Sequence, residues 1–529
     1  MSVEKEFVMA APAYSEEKEC RMMVPIPLPS ETMTRDWVAK FRSKGPGRFL
    51  EKEDVTKAFE KFVRDETWNH ECAIGSAMIQ KVREHGLKSV MKSPEIKPKY
   101  VKNVFAEKFA YIMSKCSSEN LLILMQMECF MRKEMSKVIR ARNWEVDQLS
   151  KQCEKLVIED QEANMHPHKV SMLNEKLRQV HVTYSHQLAE LEDQQKKRYR
   201  QAVDALYNRG SLPAELLDGI DLDDSPILAQ DGSENGHYGI NESFTIFIGA
   251  QLKSMHNVCL VTVDSLTRLC QTLEGDWTPF SRLEMATKLY GRSLTAVTLL
   301  VPRDPFYHYT SSSEFYKICE QSTELHFEPL REQLKEVASS IKKANNWRAD
   351  KLDATPAPSS ESTENAETQS SQPVVSSTAL RADPTFAVGD IYITKHSNLH
   401  KMQLVFHLVT EDRLQSIEIS SRHRCLNGLR NIIRLTASYG ITSIHLPLLL
   451  IDRPDESTTI AWCVKRAEMV YKCVKGYLIE VCSGTNPDSL PHYNVHFILP
   501  SGLAPTIYTT ITNMFPTIFY LVPSVSITL

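Results

Sequence analysis

The chain has 529 residues, 42% hydrophobic and 24% charged, enough apolar material for one large or two to three ordinary domains. Its 62 Lys and Arg nearly balance 66 Asp and Glu, and a net charge of -4 excludes a global field that would gather nucleic acid or anionic lipid. No apolar run approaches the roughly 20 residues of a membrane span, Met1–Glu19 lacks the apolar core of a secretory signal, and no cysteines form a Cys-x-x-Cys pair, so the expectation is a cytosolic protein with reduced thiols, no transmembrane segment, no metal and no cofactor.

In chain order, Glu6–Ala11 and Cys20–Leu28 are short apolar runs around Ser15, Glu16 and Glu17, and Pro25, Pro27 and Pro29 close the second, which predicts a hairpin with an edge strand. From Lys52 to Arg64, Val55, Ala58, Phe59, Phe62 and Val63 recur at helical spacing, and Phe105–Leu156 continues the pattern through Phe109, Ile112, Leu121, Leu124, Met127, Met131, Met135 and Ile139. Val170–Leu206 is the clearest long helix: Leu173, Leu177, Val180, Tyr184, Leu188 and Leu191 step by four, three, four, four and three. That stripe needs a partner, either the chain's own earlier helix, from which Pro167 separates it, or another subunit, and its six residues are the candidate partner-binding set. Glu190–Arg200 is almost wholly polar, as a solvated helix would be.

Gly210–Tyr238 reads as an acidic loop. Phe244–Ile248 and Val258–Val263 read as strands, Phe280–Tyr290 as a helix and Leu294–Val301 as a buried strand. Ala354–Pro384, dominated by Ser, Thr, Glu, Pro, Ala and Gln, cannot bury enough surface to order itself and predicts a disordered linker. Beyond it strands (Gly389–Thr394, Gln403–Val409, Ile441–Leu450, His492–Leu499, Ile518–Val522) alternate with helices (Asn427–Ser438, Ala461–Val481, Thr506–Met514), with Gly440 ending the first helix. The expected fold class is α+β and multi-domain: a hairpin at 1–50, long helices with a coiled-coil segment at 51–208, the first part of an α/β module at 240–350, a linker at 351–388 and the C-terminal α/β module at 389–529.

The Gly-Asp-Ile turn at Gly389, the following strand, helix and strand, and Pro447 resemble a macro domain, a fold that often binds ADP-ribose. Phosphate capture there would need a glycine-rich loop after Ile441–Leu446. Leu448–Asp455 instead offers bulky side chains, Asp452 and Asp455, and no glycine, so the expectation is a macro-like fold without that ligand.

Catalytic chemistry is sparse. His396, His400 and His407 lie near Asp390, but His407 belongs to a strand and the others flank a turn, so each reads as a solvated or core-satisfied ring, as do His256 and His445. There is no Gly-x-Ser-x-Gly elbow, Walker loop, His-Glu-x-x-His or dinucleotide fingerprint. Lys465, Arg466, Lys472 and Lys475 alternate with Val464, Ala467, Val470, Tyr471 and Val474, a face that could meet phosphates or an acidic partner but that fits better an ordinary amphipathic helix covering a sheet.

Glu242–Asn257 (ESFTIFIGAQLKSMHN), Tyr392–Leu399 (YITKHSNL), Gly428–Ile432 (GLRNI) and Trp462–Gly476 (WCVKRAEMVYKCVKG) resemble one family, subunit 3 of the FERRY endosomal Rab effector complex. The resemblance runs from Glu242 to the end of the chain; the first 240 residues match in layout alone. It implies a non-catalytic scaffold in a multi-subunit effector that a Rab GTPase recruits to early endosomes and that links messenger RNA to them. The implied partners are sister subunits, with the GTPase and the RNA reached indirectly.

Overall fold

The computed structural model describes residues 3–10, 19–26, 28, 34–43, 48, 50–84, 104–163, 167–220, 241–248, 254–272, 277–291, 293–354, 385–411, 414, 419–456, 458–483 and 492–521. Of the linker expected at 351–388, residues 351–354 end a helix and 385–388 are described, with Phe386 and Val388 buried, while 355–384 and most of the loop expected at Gly210–Tyr238 lie outside the described residues. The chain divides into two compact units: Met1–Gln126 with Val203–Gly236 and Thr278–Leu283, and Met127–Ala202 with His237–Trp277 and Glu284–Leu529.

In the first unit β1 (Val3–Ala10) and β2 (Glu19–Ile26) form an antiparallel hairpin with Phe7 opposite Met22. Strand alternation puts Phe7, Cys20, Met22, Val24 and Ile26 on one face, where they bury Val38 and Phe41 of α1 (Thr34–Arg42) and Val55 and Phe59 of α2 (Lys52–Glu84). The Phe7 ring lies 4.9 Å from Phe41 and 5.1 Å from Phe59, edge-on in both cases. In the same unit α3 (Val104–Lys115) meets the last turns of α5 (Pro167–Arg209), whose end also meets the first turn of α4 (Ser118–Ala163). Lys108 pairs with Asp204 at 2.6 Å, and Asn120 Nδ2 donates to Gly210 O at 2.8 Å.

The second unit is built on one mixed sheet of β3 (Asn241–Ile248), β4 (Ser254–Val263), β5 (Leu294–Val301), β6 (Ile391–Lys395), β7 (Leu404–Val409), β8 (Ile441–Pro447), β9 (Asn494–Pro500) and β10 (Tyr520–Leu521). Their spatial order is β10-β3-β4-β9-β8-β5-β7-β6. β4, β9, β8, β5 and β7 run parallel, and β3, β10 and β6 pair antiparallel with their neighbours. The helices are α6 (Pro279–Leu289), whose residues up to Leu283 count with the first unit, α7 (Tyr307–Thr310), α8 (Glu314–Glu320), α9 (Leu330–Ala354), α10 (Arg424–Tyr439), α11 (Ile460–Ser483) and α12 (Pro505–Ile518).

Both sheet faces are covered, as parallel strands require. Val258, Leu260, Phe406, Leu408, Val495 and Phe497 share a core with Leu429, Ile433, Val470, Tyr471 and Phe515 of α10, α11 and α12. Their strand neighbours Val261, Val263, Val297, Leu299, Val405 and Ile498 point the other way, against Phe315 of α8 and Leu334 and Ile341 of α9. Gly428 lets α10 press onto β7, since a Cβ there would sit 2.4 Å from Leu408 Cδ1 and 2.8 Å from Gly389 O. Gly440 ends α10 in the left-handed conformation, at φ 68, as its place in the sequence predicts.

Three features depart from the sequence reading. β8 ends at Pro447 because Leu448–Leu450 turn, with Leu450 at φ 55. α1 forms where that reading gives loop, and α7, α8 and α9 occupy a stretch to which it assigns no element. The third is how edge strand β6 is shielded: Gln333 of α9 accepts from Lys395 N at 2.9 Å and donates to Lys395 O at 2.8 Å, so one side-chain amide stands in for a strand.

Candidate functional site in the helical hairpin

α4 and α5 have 46 and 43 residues, a rise of about 65 Å each at ~1.5 Å per residue. Their contacts step down one helix as they step up the other, which makes an antiparallel hairpin. Gln195 Nε2 donates to Met131 O at 2.9 Å, Leu188 is buried with Met135 and Ile139, and Cys153 Sγ lies 4.0 Å from Asn174 Oδ1. Tyr184 bonds Glu145, which raises the phenol above its usual range.

The six stripe residues therefore face α4 to different degrees. Leu188 is buried, Leu191 packs beside it, and Leu173, Leu177, Val180 and Tyr184 are half-buried. Toward the α5 N-terminus the stripe thus keeps accessible surface.

The base of the hairpin corrects the expectation of a solvated Glu190–Arg200. Tyr199 is buried, its hydroxyl donating to Glu128 Oε1 at 2.6 Å and lying 3.3 Å from His326 Nε2. The other His326 nitrogen is 3.2 Å from the Tyr290 hydroxyl. Gln195 accepts from Thr323 Oγ1 at 2.6 Å, Lys196 Nζ donates to Phe327 O at 2.8 Å, and Arg142 pairs with Glu320 at 2.8 Å. Glu128 and Gln195 at 3% exposure and His326 at 5% form a buried polar junction with the α/β module, where each group relies on the others because an unmet buried donor or acceptor costs about 1–3 kcal/mol. Nothing in the sequence near Glu128 or Tyr199 marks them as buried; their partners lie 71 and 127 residues apart along the chain.

The histidines converge more than sequence suggests, but as a core. Ser313 Oγ, His308, His407, Thr394 Oγ1 and His396 form a hydrogen-bonded chain with links of 2.9, 3.1, 2.9 and 2.8 Å, and His396 Nδ1 ends 4.0 Å from Cys319 Sγ. A neutral ring has one donor and one acceptor, so a single proton direction satisfies every link. Burial pushes His308 down to about 4, His396 to about 3 and His407 well below its ordinary value, fixing the neutral forms. His400 stays apart, its backbone N–H donating to Cys270 O at 3.1 Å, and Asp390 pairs with Arg348 at 3.0 Å.

His256 comes within 2.6 Å of Ser254 Oγ and 3.8 Å of Cys482 Sγ, a spacing that invites a nucleophilic dyad. Tyr493 N donates to His256 Nδ1 at 3.1 Å, so the neutral ring carries its proton on Nε2 and gives it to the serine oxygen. It therefore cannot take the serine proton, which points to Ile248 O at 3.3 Å, and burial lowers His256 to about 4. His445 and His496 are cross-strand partners stacked at 4.2 Å, with His496 lowered to about 4 by burial.

At the carboxyl ends of β5, β7 and β8 lies a cavity of about 380 Å³, lined by Leu300, Tyr307, Glu411, Leu414, Ile451 and Asp452 among others. Its two carboxylates would repel a diphosphate, and Asp452 already accepts from Leu266 N at 2.8 Å. On α11 Arg466 is buried, donating to Leu414 O at 3.0 Å and stacking 4.5 Å over Trp462; burial lowers it to about 10. Lys472 pairs with Glu468, and Lys475 donates to Ile518 O at 2.6 Å, so this helix spends those cations within the fold. Among the described residues no His, Cys, Asp or Glu group could hold a metal ion, and no helix is long and apolar enough to cross a membrane.

Comparison with known proteins covers most of the chain. FERRY endosomal RAB5 effector complex subunit 3 of Rattus norvegicus and its counterpart in Homo sapiens are each 33% identical over 291 residues, 55% of this chain and 51% of the relative. The chain thus spans about half the length of the curated relatives it matches. The family model described as Ferry endosomal RAB5 effector complex subunit 3 matches residues 35–525. The chain belongs to the Ferry endosomal RAB5 effector complex subunit 3 family.

Proposed function

We propose that the chain is a non-catalytic scaffold subunit of an early-endosomal RAB5 effector complex, present in the cytoplasm and held at the membrane periphery by recruitment. In this reading sister subunits dock on the α4–α5 hairpin, where Leu173, Leu177, Val180 and Tyr184 keep accessible surface, and the Rab GTPase and messenger RNA are reached through those subunits. The observation that carries it is the hairpin, anchored at one end by the buried Glu128–Tyr199–His326 junction and presenting an amphipathic stripe at the other. Neutral, satisfied histidines and a net charge of -4 support a role without catalysis or an RNA groove of its own. Beads carrying GTP-loaded RAB5 should retain the chain from cytosol and fail to retain the purified chain. Equal retention of the purified chain would mean direct GTPase contact and defeat the indirect reading.

A second reading has support in the mixed sheet with helices on both faces and the cavity at the strand carboxyl ends: a macro-like module that binds or hydrolyses an ADP-ribose-type ligand. Glu411 and Asp452 in the lining weigh against a diphosphate. Millimolar ADP-ribose should leave the melting temperature unchanged, whereas a ligand of the native state must raise it.

A further inference from the structure

One end of the eight-stranded sheet is only partly closed. The outer side of β3 is paired at two positions, where Tyr520 and Leu521 of β10 lie opposite Phe247 and Ile246. Among the described residues no strand lies beside 241–245, and Glu242, Ser243 and Thr245 are exposed. The direction of the backbone groups on this edge follows from the strands behind it. Asn257 N donates to Tyr493 O at 2.9 Å, and Ser501 N donates to Val263 O at 2.7 Å, so Asn257 and Val263 of β4 bond toward β9. A strand residue sends its N–H and C=O to one side and its neighbours send theirs to the other. Cys259 and Val261 therefore also bond toward β9, and their β3 partners Ser243 and Asn241, like Thr245 opposite Asn257, form no backbone bonds with β4. Thr245 Oγ1 donates to Asn257 Oδ1 at 3.4 Å, the close side-chain approach of such a pair. Asn241, Ser243 and Thr245 thus aim N–H and C=O at the open edge, a row of groups that a further strand would satisfy.

We propose that the occupant of this edge is the chain's own segment 522–526, which lies outside the described residues, and that it extends β10 along β3. The register is set by the pairs already in place. Carried past Leu521, it puts Val522 against Thr245, Pro523 against Phe244, Ser524 against Ser243, Val525 against Glu242 and Ser526 against Asn241. The three residues that meet outward-facing groups, Val522, Ser524 and Ser526, each have an N–H to give. Pro523 has none, and it falls where the backbone points away from β3, the placement an edge strand allows a proline. A slip of one residue would aim the proline nitrogen into the ladder. Val522 and Val525 are β-branched, as are Ile527 and Thr528 just beyond, which suits a strand. Continuity favours this segment over a second polypeptide, because Leu521 already sits in the ladder and the next residues meet the edge without the cost of association. An edge filled in this way no longer offers its backbone to a strand of another chain.

The proposal is independent of the scaffold reading, since no partner enters it. Amide hydrogen exchange with residue-level fragmentation tests it on the purified full chain and on a variant that stops at Leu521. In the full chain the Ser243 and Thr245 amides should exchange about tenfold or more slowly than in the shortened one, while the Phe244 amide, which faces β4, should keep its rate in both. Equal rates at Ser243 and Thr245 in the two proteins would overturn the proposal. Two substitutions in the full chain test the register. Ser524→Pro removes a donor aimed at Ser243 O and should expose both amides as the truncation does, whereas Val525→Pro, where the backbone faces outward, should leave them protected. Loss of protection in the Val525 variant with none in the Ser524 variant would refute this pairing. Protection that rises with protein concentration would mean that a second copy supplies the strand, and would also overturn the assignment. Should the shortened chain fail to fold, the two proline variants decide by themselves.

Discussion

Acidification from pH 7.5 to 5.0 should remove most of the stability of the α/β module. His256, His308 and His496 are lowered by burial to about 4 and His396 to about 3, whereas an unfolded histidine titrates near 6.5. The folded values lie below the unfolded ones, so between them the unfolded chain binds more protons. Stability is then complete above pH ~6.5 and declines as the pH falls toward the folded values. At pH 5 each ring costs about 2 kcal/mol, from ~1.5 pH units at ~1.4 kcal/mol each, and four independent rings cost about 8 kcal/mol. That is an upper figure, because His308 and His396 belong to one hydrogen-bonded chain. It still matches a typical total of about 5–15 kcal/mol. The assay is urea unfolding followed by far-UV circular dichroism in half-unit pH steps, and the free energy should fall by up to about 5.5 kcal/mol per unit below pH 6. A change smaller than about 1.4 kcal/mol between pH 7 and 5, the equivalent of a single pH unit for one ring, would refute the neutral-core account of these histidines.

Three substitutions probe the remaining contacts. Tyr199→Phe takes the hydroxyl from Glu128 and His326 and should cost about 1–3 kcal/mol in denaturant unfolding; an unchanged midpoint would mean that the junction is not an anchor. Leu188→Ala should cost about 2–5 kcal/mol and speed proteolytic cleavage within α4 and α5, since Met135 and Ile139 lose their partner. Gly428→Ala drives a methyl into Leu408 and the Gly389 carbonyl and should lower stability by about 1–3 kcal/mol, and a melting temperature equal to the parent's would contradict that close approach.

What could be read from the sequence was what depends on neighbours along the chain. The four- and three-residue steps from Leu173 to Leu191 mark α5, alternation marks the strand at Phe244–Ile248, and Gly440 marks the end of α10. α9 carried the same kind of signal in Leu330, Leu334, Val337 and Ile341, at steps of four, three and four, and could have been found by it. The polar junction and the histidine chain could not, because burial of a polar group is decided by a distant partner. His308 meets His407 99 residues on, and Thr394, a residue with no catalytic signature, is what joins His407 to His396. The half-buried state of Leu173, Leu177 and Val180 was equally out of reach, since a heptad stripe looks the same whether its partner is within the chain or outside it.

Affinity purification of the tagged full-length chain from cytosol, with mass spectrometry of what it brings down, tests the scaffold assignment most directly. The account predicts the other subunits of the RAB5 effector complex in constant proportion to the chain, and their loss when Leu173, Leu177 and Val180 are replaced together by glutamate in a chain that still folds. Recovery of the chain by itself, or of the full set of subunits with the glutamate variant, would contradict assembly through the hairpin.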